Sequence, residues 1–293
     1  MNLWKDLKVK IRVKEPLKKH TTFRIGGPMQ YFAEPGDTEA LKLLLKRAKR
    51  ANIRILVLGA GSNILAADNV IKGLVLRLNS RPFKRIVLKN NKISAGCAIS
   101  LPQLLLFAGK RGLSGFEFLA GIPGTVGGAL MMNAGARGRA IGDTVATVTA
   151  MDYSGREKVL KRSAIKFGYR NSGLNKYIIL TVSFKVGRRP KKEIIRKIEE
   201  NLSLRLASQD LSKPSAGCVF KNPKGLSAGI LIDECGLKGK SCGNARISDR
   251  HANFILNLGS AKASDVLRLM KLAKNKVKKE YGVTLEPEIK IWR

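Results

Sequence analysis

The segment from Gly115 to Gly138 has the composition of a phosphate-binding loop. It carries seven glycines and reads GFEFLAGIPGTVGGALMMNAGARG. Glycine lets the backbone approach a ligand closely, or take a positive φ without steric cost. A Gly/Pro/Thr turn that opens onto a helical run also presents free backbone N–H groups, which bind phosphate well. From composition alone, the alternative is a close-packed helix flanked by ordinary turns.

A second glycine turn, GAGSN at residues 59–63, follows a predicted buried strand at Ile53–Leu58. It does not match the dinucleotide-binding fingerprint of a Rossmann fold, because the third glycine position holds Ile64 and no helix clearly follows. The GKS sequence at residues 239–241 is not a P-loop, since Glu234 stands where the first glycine is required. If these segments bind a nucleotide, they do so without either common glycine motif.

The charge balance makes nucleic acid the first partner to consider. The chain has 56 basic and 21 acidic residues, a formal net charge of +35. The basic residues are spread along the chain, however, and an aromatic content of 6% leaves few platforms for stacking bases. A generally basic proteome or an anionic small substrate would account for the same excess. We therefore disfavour specific nucleic-acid binding.

The cysteines and histidines do not form a metal-binding pattern. No C-x-x-C pair is present, and the sequence offers no zinc set, so we expect no metal. Scattered thiols in a cytosolic chain are usually buried and inert. The residues concerned are Cys97, Cys218, Cys235, Cys242, His20 and His251.

The sequence predicts a cytoplasmic protein. It has no apolar run long enough to span a bilayer. Its first residues, MNLWKDLKVKIRVKEP, alternate basic and apolar side chains and lack the apolar core of a signal peptide.

Hydrophobic periodicity predicts an α+β protein in about three parts. We expect a βαβ-like start, with a helix capped by Asp37 that runs to about Ala51. The other helices are predicted at about 101–111, 190–207, 226–235 and 261–279. Strands are predicted at about 8–15, 29–33, 53–58, 73–78, 86–88, 92–95, 144–153, 156–160, 177–185, 218–220, near 245, 253–258 and 283–291.

Seven segments, in order along nearly the whole chain, resemble the UDP-N-acetylenolpyruvoylglucosamine reductases of peptidoglycan synthesis. They are TTFRIGGP (21–28), LGAGSNIL (58–65), GIPGTVGGALMMNAGA (121–136), FGYRNS (167–172), PSAGCVFKNP (214–223), GNARISDRHANFI (243–255) and LEPEIKIW (285–292). The resemblance implies a two-part FAD-binding module of the vanillyl-alcohol-oxidase type, at 1–80 and 81–187, and an α+β substrate-binding domain at 188–293. The short link after FGYRNS resembles the compact subtype that lacks a substrate-covering tyrosine loop.

The resemblance also implies the reaction and the cofactor site. NADPH reduces the enolpyruvyl ether of UDP-N-acetylenolpyruvoylglucosamine to UDP-N-acetylmuramate through non-covalently bound FAD. We expect Gly121–Gly128 to contact the flavin pyrophosphate, and the following run to Ala136 to pack behind it. The implied FAD-binding residues are Thr22, Arg24, Ile25, Gly59, Ala60, Gly61, Ser62, Asn63, Gly121, Ile122, Pro123, Gly124, Thr125, Gly127 and Gly128.

Two residues are implied as stabilisers of the enolate that forms when a hydride from flavin N5 reaches the methylene carbon. Arg170 of FGYRNS offers a fixed fork of donors that suits a carboxylate. Glu288 matches the glutamate of the family, and a protonated carboxyl in a dry site can donate to the enolate. Glu286 is the neighbouring alternative, because spacing alone does not separate the two in an extended segment.

The proton donor is where this chain departs from the family. Its members usually have serine where this sequence has Cys218. A thiol, with a reference pKa of about 8.5, is a stronger acid than an alcohol, so we expect Cys218 to replace the serine. The alternatives are a buried structural thiol, with water or another donor, and Ser215 as the donor.

Further polar residues in the same segments are implied as contacts of the UDP-sugar, whose charge calls for cations. Each also has the plain interpretation of a solvated surface residue, and His251 that of a satisfied core histidine. They are Tyr169, Lys221, Asn222, Arg246 and His251, with Arg250 and Asn253 on the last segment. We expect a small-molecule partner, no specific nucleic acid, and a monomer or weak oligomer.

Two other functions remain open from the sequence. One is a different flavin oxidoreductase on the same fold, such as a sugar or alcohol oxidase, although neither glycine loop offers a clear His or Cys for covalent flavin attachment. The other is a basic nucleic-acid-binding protein without flavin.

Overall fold

The computed structural model describes Trp4, Leu7 and residues 9–293. By its packing the chain divides into two compact units, neither of them continuous in sequence. Unit 1 comprises the described residues up to Val13 together with Tyr31–Ala60 and Lys72–Leu204, and unit 2 comprises Lys14–Gln30, Gly61–Ile71 and Arg205–Arg293. The three-part division at residues 80 and 187 stays a prediction.

Six α-helices occur in the described residues, and local capping explains where several begin. Asp37 accepts a hydrogen bond from the Ala40 N–H at 2.8 Å, as its position before the first helix predicts. Ser100 and Gln103 form a reciprocal capping box on the second. The helices are α1 (Thr38–Arg50), α2 (Leu101–Gly109), α3 (Val126–Met131), α4 (Lys191–Ser208), α5 (Ala228–Glu234) and α6 (Ala263–Tyr281). None of them is both long and apolar enough to cross a bilayer.

The described strands form six sheets. The strands are β1 (Ile11–Pro16), β2 (Pro28–Ala33), β3 (Ile55–Leu58), β4 (Ile64–Ala66), β5 (Ile71–Arg77), β6 (Ile86–Lys89), β7 (Lys92–Gly96), β8 (Leu113–Ser114), β9 (Gly135–Ala136), β10 (Arg139–Ala140), β11 (Val145–Asp152), β12 (Glu157–Lys161), β13 (Tyr177–Lys185), β14 (Gly187–Arg188), β15 (Ser241–Cys242), β16 (Ala245–Ile247), β17 (Ile255–Asn257) and β18 (Lys290–Trp292). The largest is antiparallel, in the order β12-β11-β13-β7-β6, and a four-stranded sheet runs β1-β2-β5-β3. Strand β18 pairs with β4 in parallel, Lys290 lying opposite Ile64.

Each unit has its own apolar core. In unit 1, the ring of Phe116 meets the ring of Phe184 on β13 edge to face, with 5.3 Å between the ring centres. In unit 2, α6 buries Val266, Leu269 and Met270, at the spacing of one helical face. The mixed content confirms the predicted α+β class.

Three predictions about strands were wrong in extent. The first strand begins at Ile11 rather than near residue 8, and Lys8 itself lies outside the described residues. Residues 218–220 make only isolated bridges, and the final strand covers Lys290–Trp292 rather than 283–291. Pro287, which bridges Phe220, has no N–H to donate, and this limits regular pairing between residues 218–220 and the segment around Pro287. The short strand β4 was not predicted.

Candidate active site

The glycine segment of unit 1 turns into helix α3 at Thr125. The Thr125 Oγ1 atom accepts the Gly128 N–H at 3.3 Å and caps the helix. The N–H groups of Val126 and Gly127 donate to the carbonyl oxygens of Ile99 and Cys97, at 2.8 and 2.9 Å. These three N–H groups are therefore engaged within the protein. The prediction of a free helix N-terminus here was wrong.

Close backbone approach explains several of the glycines. A Cβ on Gly127 would lie 2.9 Å from the Cys97 Cβ, and a Cβ on Gly59 would lie 2.9 Å from the Thr125 Oγ1. The second contact brings the end of β3 against the glycine segment. Behind them Ala129 and Leu130 are buried, which agrees with the expected packing role of this run.

Arg170 sits at the corner of a tight turn in unit 1. Gly168 and Asn171 exchange two backbone hydrogen bonds, of 2.8 and 3.2 Å, across the turn. Arg170 has a φ of +54°, a left-handed conformation that glycine or asparagine usually supplies there. Its Nη1 donates to the Gly135 carbonyl at 3.2 Å, and its guanidinium lies 5.1 Å from the centre of the exposed Tyr169 ring. The left-handed backbone and the Gly135 contact hold the Arg170 side chain at this corner of the turn.

In unit 2, the segment around Cys218 pairs with the segment that carries Glu288. The Glu288 N–H donates to the Val219 carbonyl at 2.8 Å, and Phe220 bridges Pro287. On its other side, Cys218 bridges Phe254. The fold therefore brings the predicted proton donor and the predicted carboxyl onto adjoining extended segments, although 70 positions separate them in sequence.

The two acidic residues of LEPE have different surroundings. The Glu286 side chain is 70% exposed and forms an ion pair with the Lys221 Nζ at 3.0 Å. Glu288 is half-buried, and its backbone carbonyl accepts the Asn63 Nδ2–H at 3.2 Å. A partly desolvated carboxyl is the better candidate for a protonated donor, which favours Glu288.

Two predicted FAD-binding segments also lie together in unit 2. The Thr22 N–H donates to the Gly61 carbonyl at 3.2 Å, and the Thr22 hydroxyl donates to the Ser215 carbonyl at 2.8 Å. Gly61 has a φ of +70°, and a Cβ there would overlap the His20 carbonyl oxygen. Thr22 thus connects the glycine turn to the segment that carries Cys218. Arg24 is exposed and Ile25 is buried.

The predicted substrate contacts in unit 2 are already engaged in the protein. The Asn222 Oδ1 accepts the Ala228 N–H at 3.1 Å, at the start of α5. The exposed Arg246 donates from Nε to the Ser241 Oγ at 3.1 Å. The structure brings Lys221 beside Glu286, and Asn222 follows it directly. Arg246 instead lies on β16.

His251 has the surroundings of a core histidine. Its Nδ1 accepts the Asn253 N–H at 3.2 Å, and its ring lies 4.9 Å from the Phe254 ring. A Cβ on Gly229 would lie 3.1 Å from the imidazole. Burial lowers the pKa of His251 below its usual value of 6.5. These contacts favour a structural role.

Replacing His251 with glutamine is expected to make the free energy of unfolding fall less steeply in acid. Since the folded protein binds this proton less readily than the unfolded chain, the contribution of His251 is present above pH 6.5 and is lost as the pH falls through the folded pKa. The wild-type free energy of unfolding, measured by denaturant unfolding, should therefore fall more steeply than that of His251→Gln as the pH falls below about 6.5, by at most about 1.4 kcal/mol per pH unit. Identical pH profiles would contradict this assignment.

Sequence patterns offer little sign of the buried asparagines that hold these segments in place. Asn253 is 1% exposed; its Oδ1 accepts the Phe220 N–H at 2.9 Å, and its Nδ2 donates to the Phe220 carbonyl at 2.8 Å. Asn257 donates to the Phe23 carbonyl at 2.9 Å. Asn133, in the glycine segment, is also buried. A polar side chain within an otherwise apolar run is the sequence signal for such a residue, and of these three only Asn253 was predicted to have a role.

Two of the other thiols are buried. Burial raises the pKa of Cys97 to about 12 and that of Cys235 to about 11. Cys218 and Cys242 are half-buried. In the part of the chain that the structure describes, no group of three His, Cys, Asp or Glu residues is arranged to hold a metal ion.

One cavity of unit 1, of about 380 Å³, lies away from these residues. It is lined by basic side chains, among them Arg139, Lys185 and Arg189, together with Glu117 and Asp143. None of the residues predicted to bind FAD or substrate lines it.

Comparison with known proteins relates these segments to one enzyme family. Residues 209–292 match the family model of the UDP-N-acetylenolpyruvoylglucosamine reductase C-terminal domain, and residues 29–161 match that of an FAD-binding domain. The chain is 42% identical to the UDP-N-acetylenolpyruvoylglucosamine reductase of Moorella thermoacetica, over 98% of this chain and 94% of that protein. The chain belongs to this family.

Further relatives support the family assignment. Identity is 43% to UDP-N-acetylenolpyruvoylglucosamine reductase 2 of Symbiobacterium thermophilum, over 97% of this chain and 92% of that protein. The crystal structure of the reductase from Thermus caldophilus superposes with a TM-score of 0.84 at 39% identity, covering 98% of this chain and 99% of that one. The resemblance seen in the sequence is confirmed, and the chain is an FAD-dependent oxidoreductase of this family.

The glycine segments fit FAD in charge and in shape. Residues 59–60 and 121–128 carry no charged side chain, so nothing there repels a pyrophosphate. The close approach of Gly59 to Thr125 leaves no room for a side chain between the two loops. The N–H groups of Val126, Gly127 and Gly128 are engaged within the protein, so a phosphate bound at these loops would take its donors from other groups.

Proposed function

We propose that this protein reduces the enolpyruvyl ether of UDP-N-acetylenolpyruvoylglucosamine to UDP-N-acetylmuramate, with NADPH as the hydride donor. The observation that carries the proposal is the pairing of the Cys218 segment with the Glu288 segment inside unit 2. Such a pair suits a reaction that must deliver one proton and stabilise one developing negative charge. Bound FAD would supply the hydride chemistry.

Arg170 would bind the substrate carboxylate. Its guanidinium carries five N–H donors in a fixed fork, which matches the two oxygens of a carboxylate. In the transition state the negative charge spreads from the adjacent carbon onto that carboxylate, so the interaction strengthens as the reaction proceeds. The turn geometry and the Gly135 contact hold the guanidinium in place in advance.

Cys218 would give its proton to the carbon that bears the carboxylate. The thiol is half-buried, at a break in regular strand pairing, where it can face a ligand. Glu288, in its protonated form, would donate a hydrogen bond to the enolate. Ser215 is the alternative proton donor, and its hydroxyl oxygen accepts the Gly217 N–H at 3.5 Å.

The remaining contacts would hold cofactor and substrate. Those proposed for FAD are Thr22, Arg24, Ile25, the GAGSN turn at residues 59–63, and the residues of 121–128 named above. Those proposed for the UDP-sugar are Tyr169, Lys221, Asn222 and Arg246, while His251 would act indirectly by packing against Phe254. Lys221 would have to exchange its ion pair with Glu286 for the ligand.

Visible spectroscopy of the purified protein tests the proposal. NADPH should bleach a flavin band, and UDP-N-acetylenolpyruvoylglucosamine, added without oxygen, should restore it. An oxidase on the same fold would be reoxidised by oxygen instead, and a nucleic-acid-binding protein would show no flavin band. Persistence of the bleached state after addition of the sugar would overturn the proposed substrate.

We further propose a cytoplasmic protein that is a monomer or weak oligomer. Light scattering over a range of protein concentrations tests the oligomeric state.

A further inference from the structure

Asn133 bridges two backbone segments of unit 1. It follows α3, is 9% exposed, and has a left-handed φ of +43°. Its Nδ2 donates to the Gly168 carbonyl at 2.9 Å, and its Oδ1 accepts the Gly142 N–H at 3.1 Å. One partner can only accept and the other can only donate, so the amide has one satisfactory orientation.

The first of these partners belongs to the turn that carries Arg170. Gly168 opens the turn, and its backbone exchanges two hydrogen bonds with Asn171. Arg170, two residues after Gly168, occupies the strained corner. Because the bond from Asn133 holds the Gly168 carbonyl, it also holds the plane of the peptide between Gly168 and Tyr169, where the turn begins.

The second partner is held rigidly. A Cβ on Gly142 would lie 2.8 Å from the Asn133 Oδ1 and 2.8 Å from the Phe167 ring, so only glycine fits there. Arg162 donates to the Gly142 carbonyl at 2.8 Å and lies 4.6 Å from the centre of the Phe167 ring. Asn133 thus connects the turn to an anchored backbone rather than to a mobile loop.

The far side of the turn is tied to the same helix end. Ser172 is fully buried, and its hydroxyl donates to the Met131 carbonyl at 3.0 Å. Met131 is the last residue of α3, whose first residue follows Thr125 in the glycine segment. Both ends of the Arg170 turn are therefore fastened to the end of the helix that the glycine segment begins.

We propose that Asn133 is a positioning residue for Arg170. This proposal rests on the function proposed above. The Asn133 carboxamide holds the turn so that the Arg170 guanidinium lies where the substrate carboxylate binds, and Asn133 itself touches neither substrate nor flavin. Misplacement of a catalytic group by about 1 Å costs on the order of 10²-fold in rate. The loss of one buried hydrogen bond from the turn can produce a shift of that kind.

The test compares three variants by rapid-mixing kinetics. Asn133→Gly keeps the backbone conformation and removes the carboxamide. Asn133→Asp keeps the acceptor for Gly142 and cannot donate to Gly168. Asn91→Gly is the matched control, because Asn91 also has a left-handed φ, of +53°, in the exposed β6–β7 hairpin.

We expect both Asn133 variants to slow reoxidation of the flavin by the enolpyruvyl sugar by about 10- to 100-fold. The flavin content of both variants and their rates of flavin reduction by NADPH should stay within about threefold of the wild-type values. Asn91→Gly should match the wild type. In hydrogen exchange, residues 167–172 should lose protection at least about tenfold, while the sheet core keeps it. Full activity of Asn133→Asp would overturn the proposal, since the bond to Gly168 would then not matter.

A double-variant cycle separates this proposal from the function on which it rests. If Asn133 acts through Arg170, adding Asn133→Gly to Arg170→Gly should slow reoxidation by less than about twofold further. Additive effects would refute positioning while leaving the reductase function intact. No reoxidation by the sugar in the wild type would instead refute the proposed function itself.

Discussion

Replacement of Arg170 by glycine is expected to reduce turnover by about 10²- to 10³-fold without destabilising the fold. The kinetic loss is that of one preorganised donor to a developing negative charge. The stability result has a separate origin, because glycine adopts the φ of +54° without the cost of about 1–2 kcal/mol that a side chain incurs. The greater freedom of glycine in the unfolded chain and the lost bond to the Gly135 carbonyl offset that gain. We expect a net change within about 1 kcal/mol, measured by thermal and denaturant unfolding.

Arg137→Gly is the matched control for this prediction. Arg137 has the same φ of +54° and is exposed in the turn between β9 and β10. Its replacement should therefore affect stability similarly and leave turnover unchanged. Arg170→Lys retains the positive charge and the left-handed backbone strain but lacks the guanidinium with its fork of donors. Its turnover should therefore lie between that of the wild type and that of Arg170→Gly. Full turnover by Arg170→Gly would exclude the proposed role, whatever its stability.

Replacement of Cys218 by alanine is expected to slow turnover by about 10²- to 10⁴-fold, the usual contribution of a general acid. The defect should lie in the step that consumes the enolpyruvyl sugar, since flavin reduction by NADPH needs no proton from the thiol. Cys218→Ser should restore most of the rate, because it supplies a hydroxyl that can donate a proton from the same position. Single-turnover measurement of the two half-reactions checks both points.

Alkylation provides an independent readout of the same thiol. Iodoacetamide should inactivate the wild type, and Cys218→Ser should resist it. Cys242→Ser is the control, because Cys242 is the other half-buried cysteine and lies on β15, so this variant should remain sensitive. If Cys242→Ser gained resistance instead, or if Cys218→Ala turned over at the wild-type rate, Cys218 would not be the acid.

Local signals in the sequence were sufficient where a segment folds on its own preferences. Asp37 and the apolar spacing after it predicted α1 to within one residue at its end, and Tyr177–Lys185 was predicted in full. Spacing could not distinguish Glu286 from Glu288, because their difference lies in burial and in an ion pair with Lys221, a residue distant in sequence. Spacing also could not predict that the N–H groups of Val126 and Gly127 are engaged, since their acceptors are the carbonyl oxygens of Ile99 and Cys97, which are distant in sequence. The family resemblance, rather than periodicity, selected the candidate site.

The parallel pairing of β18 with β4 has a consequence for how the protein is made. Lys290 lies opposite Ile64, so 226 positions of chain separate two strands that must meet. At about 5–20 residues per second, the ribosome needs about 10–45 s to complete that interval. Until then Leu65, fully buried in the finished protein, has no neighbour on β18, and Asn63 has no Glu288 carbonyl to bind. Unit 2 therefore completes this pairing only after residue 290 has been made, and a nascent chain stalled before residue 288 should expose part of the apolar core of unit 2 to chaperones.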